Sequence, residues 1–139
     1  MLEAAKCLYV PYIWGGNAPG DGMDCSGFVG HVLRTTGILP PTCDATAQMY
    51  SEMFKEYPLK TPQAASLAFY GRGGSNIVHV MLIVNQEACI GAVRGNKYID
   101  TVARAKAKRA RVDTRPINYR RDLRMILDPV KWSENDGRS

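Results

Sequence analysis

Long apolar runs are missing from this sequence, and none approaches the ~20 residues that a membrane-spanning helix needs. Residues 1–6 also lack the basic leader, apolar stretch and small-residue cleavage site of a secretion signal. No internal repeat and no linker interrupts the 139 residues, which is a typical length for one domain. We place that domain at residues 1–129 and predict a polar C-terminal tail with a frayed end at residues 130–139.

Cysteine is scarce and widely spaced, at Cys7, Cys25, Cys43 and Cys89. This spacing has no paired metal-ligand pattern, and the chain is not a small disulfide scaffold. We therefore expect reduced thiols, no metal and no other cofactor. Cys7 and Cys89 lie among apolar residues, which favours burial as small hydrophobic side chains. Cys25 alone combines a glycine-rich loop, a helix start and polar neighbours.

Positive charge is in excess, with a formal net charge of +5 at pH 7, and nine of the eighteen basic residues lie between Arg104 and Arg124. Such a region can attract an anionic polymer such as nucleic acid or teichoic acid, or a membrane surface, although a solvated basic face is the simpler explanation. No interleaved aromatic residues and no nucleic-acid-binding motif accompany it, so we expect no nucleic acid partner.

The sequence pattern changes from helical to extended near residue 65. Helices are predicted over residues 2–9, 25–36, 45–55 (with Asp44 as its N-cap) and 101–108. Strands or extended segments are predicted over residues 66–70, 77–84, 88–92, 97–100, 109–113 and 123–127, the second and third forming a hairpin. Helices followed by an antiparallel sheet predict an α+β fold, with the helix after Cys25 packed on the sheet.

The predicted helix that begins at Cys25 makes this cysteine a candidate nucleophile. Loop residues precede Asp24, and apolar residues recur at helical spacing after it. Free backbone N–H groups and the positive end of the helix dipole at such a position stabilise a thiolate and a developing oxyanion.

Histidine occurs only twice, at His31 and His79. His31 follows Cys25 by six residues on the same predicted helix and therefore points to a different side. His79 lies in an apolar strand between Val78 and Val80, where a histidine is either hydrogen-bonded in the core or functional. A cysteine at a helix start together with this histidine favours a thiol/imidazole pair.

Three segments, PYIWGG at residues 11–16, DCSGFV at 24–29 and HVMLIV at 79–84, resemble the motifs of the NlpC-type cell-wall cysteine peptidases. The resemblance extends over about residues 2–127 and implies a papain-like fold. It implies Cys25 as nucleophile and His79 as general base. It also implies that Tyr12 lines the site and that Asp24 recognises the substrate amine. We add Ser26 and Trp14 as substrate contacts, with a core position for Trp14 equally open.

The resemblance implies hydrolysis of a peptidoglycan stem peptide between D-γ-glutamate and diaminopimelate or lysine. One departure is at Gly91, where the family has a histidine, asparagine or glutamine that orients the catalytic histidine. A backbone carbonyl or a water is our preferred substitute, with Asn96 and Gln86 as alternatives. A second departure is Ala-Ser-Leu at residues 65–67 in place of Gly-Asp-Leu. Alternative functions are a catalytically weakened wall-binding module and a papain-like amidase or acyltransferase.

The expected site of action is the bacterial cell wall, and the expected partner is a stem peptide. Because no secretion signal is visible, we expect delivery by lysis or in a phage tail, as for phage and prophage wall hydrolases that resemble this chain.

Overall fold

A five-stranded antiparallel sheet lies at the centre of the structure, a computed structural model that describes residues 1–136. Its strands are β3 (Leu67–Gly71), β4 (Ile77–Ile83), β5 (Ala88–Val93), β6 (Arg111–Pro116) and β7 (Leu123–Leu127), in the spatial order β6-β5-β4-β3-β7. A separate two-stranded ribbon consists of β1 (Asn17–Ala18) and β2 (Gly22–Met23). The helices are α1 (Leu2–Lys6), α2 (Cys25–Thr35), α3 (Ala47–Met53), α4 (Val102–Lys108) and α5 (Pro129–Asn135). The predicted α+β arrangement is confirmed.

Both faces of the central sheet are covered, because successive strand residues point to opposite sides. Val80 and Leu82 of β4 belong to a large apolar cluster that includes Phe28 of α2, so the predicted packing of this helix on the sheet is confirmed. Met81 and Ile83 belong to a second, smaller cluster on the other face. The described helices include none that is long and apolar enough to cross a membrane.

The structure corrects the predicted start of the third helix. This helix begins at Ala47 and not at residue 45, because the hydroxyl of Thr46 accepts a hydrogen bond from the Met49 N–H at 3.1 Å and caps it. Asp44, the predicted cap, instead accepts a hydrogen bond from the side-chain amide of Asn17 at 3.1 Å. The first helix is also shorter than predicted and ends at Lys6.

Two predicted features after residue 90 are wrong. Residues 97–100 do not form a strand: residues 97 and 98 are a turn, in which the side-chain oxygen of Asn96 accepts a hydrogen bond from the Tyr98 N–H at 2.8 Å. The frayed end is replaced by helix α5, which Asp128 caps and whose Trp132 ring packs edge-on against Phe54 with 5.2 Å between ring centroids. Residues 137–139 of the predicted tail lie outside the described residues, and the domain division at residue 129 stays a prediction.

Candidate active site

The loop before α2 folds back on itself and brings the segment at residues 11–16 beside the start of that helix. The N–H of Met23 donates to the Pro11 carbonyl at 3.1 Å, and the N–H of Asp24 donates to the Gly16 carbonyl at 3.0 Å. A side chain at Gly27 would collide with the Gly16 carbonyl. Glycine is therefore required at Gly27 for this close approach of loop and helix.

Asp24 is the N-cap of α2, and its carboxylate holds the loop and the helix together. One oxygen accepts from the Gly27 N–H at 2.7 Å and from the Ser26 hydroxyl at 3.3 Å, and the other accepts from the Gly15 N–H at 3.0 Å. Asp24 and Ser26 line a hollow of about 210 Å³ next to Asp44, and they are not among the residues that line the cavity at Cys25.

The structure brings the other four predicted site residues together around one cavity of about 700 Å³. These residues are Cys25, His79, Tyr12 and Trp14. The cavity lies where β4 and β5 diverge, because the two strands pair only at Leu82–Ile90 and Ile83–Cys89. The first half of β4, which carries His79, is thereby left open toward the start of α2.

The two aromatic residues of the loop differ in their exposure. Tyr12 is buried, and its ring lies directly against Gly95, where any side chain would collide with it. Trp14 is 55% exposed at the edge of the cavity, so its alternative position in the core is wrong. A substrate contact for Trp14 stays a prediction.

Burial dominates the acid–base chemistry of Cys25. It raises the pKa of the thiol to about 11, and the Asp24 carboxylate adds to this shift. The N–H groups of Val80 and Ser26 and the Arg120 guanidinium oppose the rise in pKa without cancelling it. Burial thus outweighs the stabilisation of a thiolate that the helix start offers, and removal of the Cys25 proton needs a base.

His79 is buried, and burial together with the nearby Arg120 lowers the pKa of its imidazole to about 3. Its Nε2 forms a hydrogen bond of 2.7 Å with the hydroxyl of Tyr119, and within residues 1–136 neither ring nitrogen is hydrogen-bonded to Cys25. Hydrogen bonds between catalytic groups are often long in a free enzyme and shorten when the substrate binds. Cys25 and His79 are thus neighbours in one cavity, and burial favours the uncharged form of each.

The side chain that is hydrogen-bonded to His79 differs from the groups expected to orient it. A backbone carbonyl or a water was expected, with Asn96 and Gln86 as alternatives, but the hydroxyl of Tyr119 takes this position. The side chain of Asn96 bonds the Tyr98 N–H, and Gln86 lines a different hollow. Sequence reasoning missed Tyr119 because it follows β6 in a loop, 40 positions after His79.

The cavity has an excess of positive charge that sequence reasoning also missed. Arg94, Lys97 and Arg120 line it, and none of the lining residues in the described part of the chain, residues 1–136, is acidic. Arg120 is held by two hydrogen bonds to Asp122, at 2.9 and 2.7 Å. The arrangement is suited to a substrate that carries carboxylates.

The basic region predicted from Arg104 to Arg124 extends over α4, β6 and β7 and reaches the cavity at Arg120. Several of its arginines form ion pairs with aspartates, namely Arg104 with Asp100, Arg111 and Arg115 with Asp113, and Arg120 with Asp122. Such pairs are typical of a solvated face. Binding of an anionic wall polymer stays a prediction.

One group of potential metal ligands lies between α1 and α2. Ligand atoms of Glu3, Cys7 and His31 lie within 4.8 Å of one another. Nε2 of His31 is hydrogen-bonded to the Glu3 carboxylate at 3.0 Å, which accounts for this pair without an ion.

Comparison with known sequences gives matches over most of this site. The sequence model of the NlpC/P60 family matches residues 9–116, which include both Cys25 and His79. The bifunctional muramidase/DL-endopeptidase CwlT of Bacillus subtilis is 38% identical over 86 residues, or 60% of this chain and 25% of that protein. The gamma-D-glutamyl-L-lysine dipeptidyl-peptidase of the same species is 35% identical over 95 residues, or 67% of this chain and 31% of that protein. The chain thus spans about a third or less of the length of these curated relatives.

Comparison with solved structures agrees on the fold. An NlpC/P60 family protein from Bacillus cereus ATCC 10987 superimposes with a TM-score of 0.71 at 21% identity, covering 91% of this chain and 38% of that one. At this identity the likeness bears on the fold alone, which is the α+β arrangement described above.

Proposed function

The chain belongs to the NlpC/P60 family, and from this membership we propose that it is a cysteine endopeptidase that hydrolyses an amide bond in peptidoglycan stem peptides. The observation that carries the proposal is that Cys25, at the start of α2, and His79, on β4, line the same cavity. The proposed bond joins D-γ-glutamate to diaminopimelate or lysine. A relative named for γ-D-glutamyl-L-lysine peptides supports this choice of bond.

The first proposed step is a proton transfer from the Cys25 thiol to the imidazole of His79. Burial lowers the pKa of this imidazole, which leaves the ring unprotonated before the step but also makes it a weak base. We therefore place the proton transfer together with attack of the sulfur on the amide carbonyl, so that the sulfur–carbon bond forms as the thiol loses its proton.

The tetrahedral intermediate carries negative charge on the former carbonyl oxygen. The N–H groups of Gly27 and Phe28 are already hydrogen-bonded to Asp24, and that of Ser26 is hydrogen-bonded to the Cys25 sulfur, so the Cys25 N–H is the first donor that we assign to the oxyanion at the start of α2. One such donor contributes about 3 to 4 kcal/mol in other hydrolases. The backbone at the helix start thus serves as the proposed oxyanion site.

The intermediate collapses when the carbon–nitrogen bond breaks and His79 gives its proton to the leaving amine. The acyl group then remains on the Cys25 sulfur as a thioester. A water molecule, deprotonated by His79, attacks this thioester and releases the carboxylate product and the free thiol.

The charge of the cavity supports a stem-peptide substrate. Such a peptide carries free carboxylates along its length, and Arg94, Lys97 and Arg120 face the space beside Cys25 and His79. These cations attract carboxylates and orient the peptide across the thiol. A neutral substrate would make no use of them.

The experiment that tests the proposal is digestion of purified muropeptides by the wild type and by Cys25→Ala, with products analysed by mass spectrometry. We expect new fragments that end in γ-D-glutamate with the wild type and none with Cys25→Ala. Cys43→Ala is the matched control and should cleave like the wild type, because Cys43 lies outside the residues that line the cavity.

Three other results would contradict the proposal. Absence of cleavage by the folded, reduced wild type together with salt-sensitive sedimentation on cell walls would indicate a binding module. Cleavage of the sugar-linked amide would indicate an amidase, and an amine adduct in place of the free carboxylate would indicate an acyltransferase.

A further inference from the structure

The hydroxyl of Tyr119 lies 2.7 Å from Nε2 of His79, which makes Tyr119 the side chain in hydrogen-bond contact with the proposed base. Tyr119 itself is fixed in place by other contacts. Its N–H donates to the Pro116 carbonyl at 3.1 Å, and its ring packs edge-on against Tyr70 with 5.7 Å between centroids. The position of the hydroxyl is therefore fixed by both backbone and ring contacts.

Strand β5, which neighbours the strand of His79, has no space at Gly91 for a side chain that could contact the imidazole. A Cβ atom built there would lie 2.5 Å from the sulfur and 3.3 Å from the terminal methyl group of Met81. Met81 fills the space that a side chain at Gly91 would occupy. Contact with the imidazole comes instead from the loop between β6 and β7.

We propose that Tyr119 is the positioning residue of His79: its hydroxyl oxygen accepts a hydrogen bond from Nε2–H and thereby keeps Nδ1 free to take the proton of Cys25. This inference rests on the proposed function and deepens it by naming the residue that sets the tautomer of the base. Tyr119 acts through His79 and takes no part in bond breaking.

The direction of the hydrogen bond follows from the charge state that the reaction requires. After His79 has accepted the proton of Cys25, both ring nitrogens carry hydrogen, so Nε2–H can only donate and the Tyr119 oxygen must accept. The same direction in the resting state leaves Nδ1 unprotonated before the transfer. The hydroxyl then has the same role at both stages and need not rotate.

Burial raises the pKa of Tyr119, so the phenol stays neutral over the working pH range. A neutral acceptor orients the imidazole and stabilises the imidazolium by one hydrogen bond, without the full charge of a carboxylate. Its removal should therefore slow the reaction without abolishing it.

The kinetic test is Tyr119→Phe, assayed on the muropeptide that the wild type cleaves. We expect kcat to fall about 10- to 100-fold, the range for one hydrogen bond to a charged group. Tyr50→Phe is the matched control, because it removes a buried hydroxyl that lies against Gly30 of α2 and outside the cavity. A kcat within twofold of the wild type for folded Tyr119→Phe would overturn the proposal.

A second measurement does not depend on activity. The ¹⁵N chemical shifts of the imidazole nitrogens report the tautomer directly, and His31 is an internal reference because the chain has only two histidines. We expect His79 of the wild type to carry hydrogen on Nε2 alone at pH 7, and we expect Tyr119→Phe to show both tautomers.

Hydrogen on Nδ1 in the wild type, or an unchanged tautomer in Tyr119→Phe, would overturn the inference. The wild-type spectrum decides the matter even if the variant is unstable. An inactive wild type with the expected tautomer would contradict the proposed function and leave the role of Tyr119 supported.

Discussion

The carboxylate of Asp24 accepts a hydrogen bond from the Gly27 N–H at 2.7 Å, inside the first turn of the helix that begins with Cys25. Its other oxygen binds the Gly15 N–H in the preceding loop. One side chain thus sets both the direction of the helix and the position of the loop that carries Tyr12 and Trp14. This structural role accounts for a side chain with two acceptor oxygens at this position, even before a contact with a substrate amine is considered.

Asp24→Ala should lower the free energy of unfolding by about 1 to 2 kcal/mol, because the helix loses its N-cap. Asp24→Asn should lower it less, since asparagine is also a good N-cap. Urea denaturation followed by circular dichroism measures both, with Asp44→Ala as the control for an aspartate outside the helix start. A urea midpoint for Asp24→Ala equal to that of the wild type would contradict the capping role.

Asp24→Asn also tests the recognition of the substrate amine. The substitution removes the negative charge while keeping a capping oxygen, so a contact with an ammonium group predicts a higher KM in a folded variant. Unchanged KM and kcat would restrict Asp24 to its structural role.

Gly91→Ala should destabilise the protein by about 1 to 3 kcal/mol, because the added methyl group would lie 2.5 Å from the Met81 sulfur. The loss should be smaller in a Met81→Ala background, where the methyl group has space. Urea denaturation of the two single variants and the double variant gives the coupling. Gly73→Ala is the control, since within residues 1–136 no atom beyond the two chain neighbours lies within 4 Å of a Cβ at that position. Strictly additive effects of Gly91→Ala and Met81→Ala would contradict the predicted collision.

Local signals predicted the part of the fold that carries the nucleophile. The change from loop residues to helical spacing after Asp24 predicted the start of α2, and the structure places this helix within one residue of the prediction. The start of α3 was less certain locally, because Asp44 and Thr46 are both capable caps only two positions apart. A tertiary contact decides which of the two caps the helix, since the Asp44 carboxylate accepts a hydrogen bond from the side chain of Asn17.

Only those site residues that a local sequence pattern marks could be predicted. Cys25 and His79 follow from a helix start and a polar residue in an apolar strand, and the fold brings them to one cavity. Tyr119 and the cavity arginines lie in loops without periodicity, so their approach to His79 depends on the whole sheet. The raised pKa of Cys25 is a tertiary effect too, because burial in the folded protein outweighs the helix start.

Stability should fall as the pH drops below about 6.5, because burial and Arg120 lower the pKa of His79 to about 3 while Asp122 opposes the shift. Between these two values the unfolded chain binds a proton that the folded protein does not. One such group contributes a slope of up to about 1.4 kcal/mol per pH unit. Urea denaturation at several pH values from 7 to 4.5 measures this slope. This pH range lies above the one in which Asp113 and Asp122 titrate, because the pKa values of both carboxyl groups are lowered.

The variant that isolates this effect is His79→Gln, which should show a flatter dependence than the wild type over the same pH range. His31→Gln retains His79 and is the matched control. Parallel curves for the wild type and His79→Gln would contradict a buried, neutral imidazole.

Cys25 should react slowly with iodoacetamide at pH 7, because its pKa is raised to about 11 and only the thiolate is a nucleophile. The alkylation rate should rise about tenfold per pH unit between pH 7 and pH 10 as the thiolate fraction grows. Peptide mapping by mass spectrometry follows the reaction in a Cys43→Ser background, since Cys7 and Cys89 are buried.

Arg120→Ala should slow the alkylation of Cys25 further at each pH, because the Arg120 guanidinium lowers the thiol pKa and its removal lets that pKa rise. Arg121→Ala removes the neighbouring charge outside the cavity lining and serves as the control. A rate that is constant from pH 6 to pH 9 would contradict the prediction, because it would mean that Cys25 is already a thiolate paired with a protonated His79 before the substrate binds.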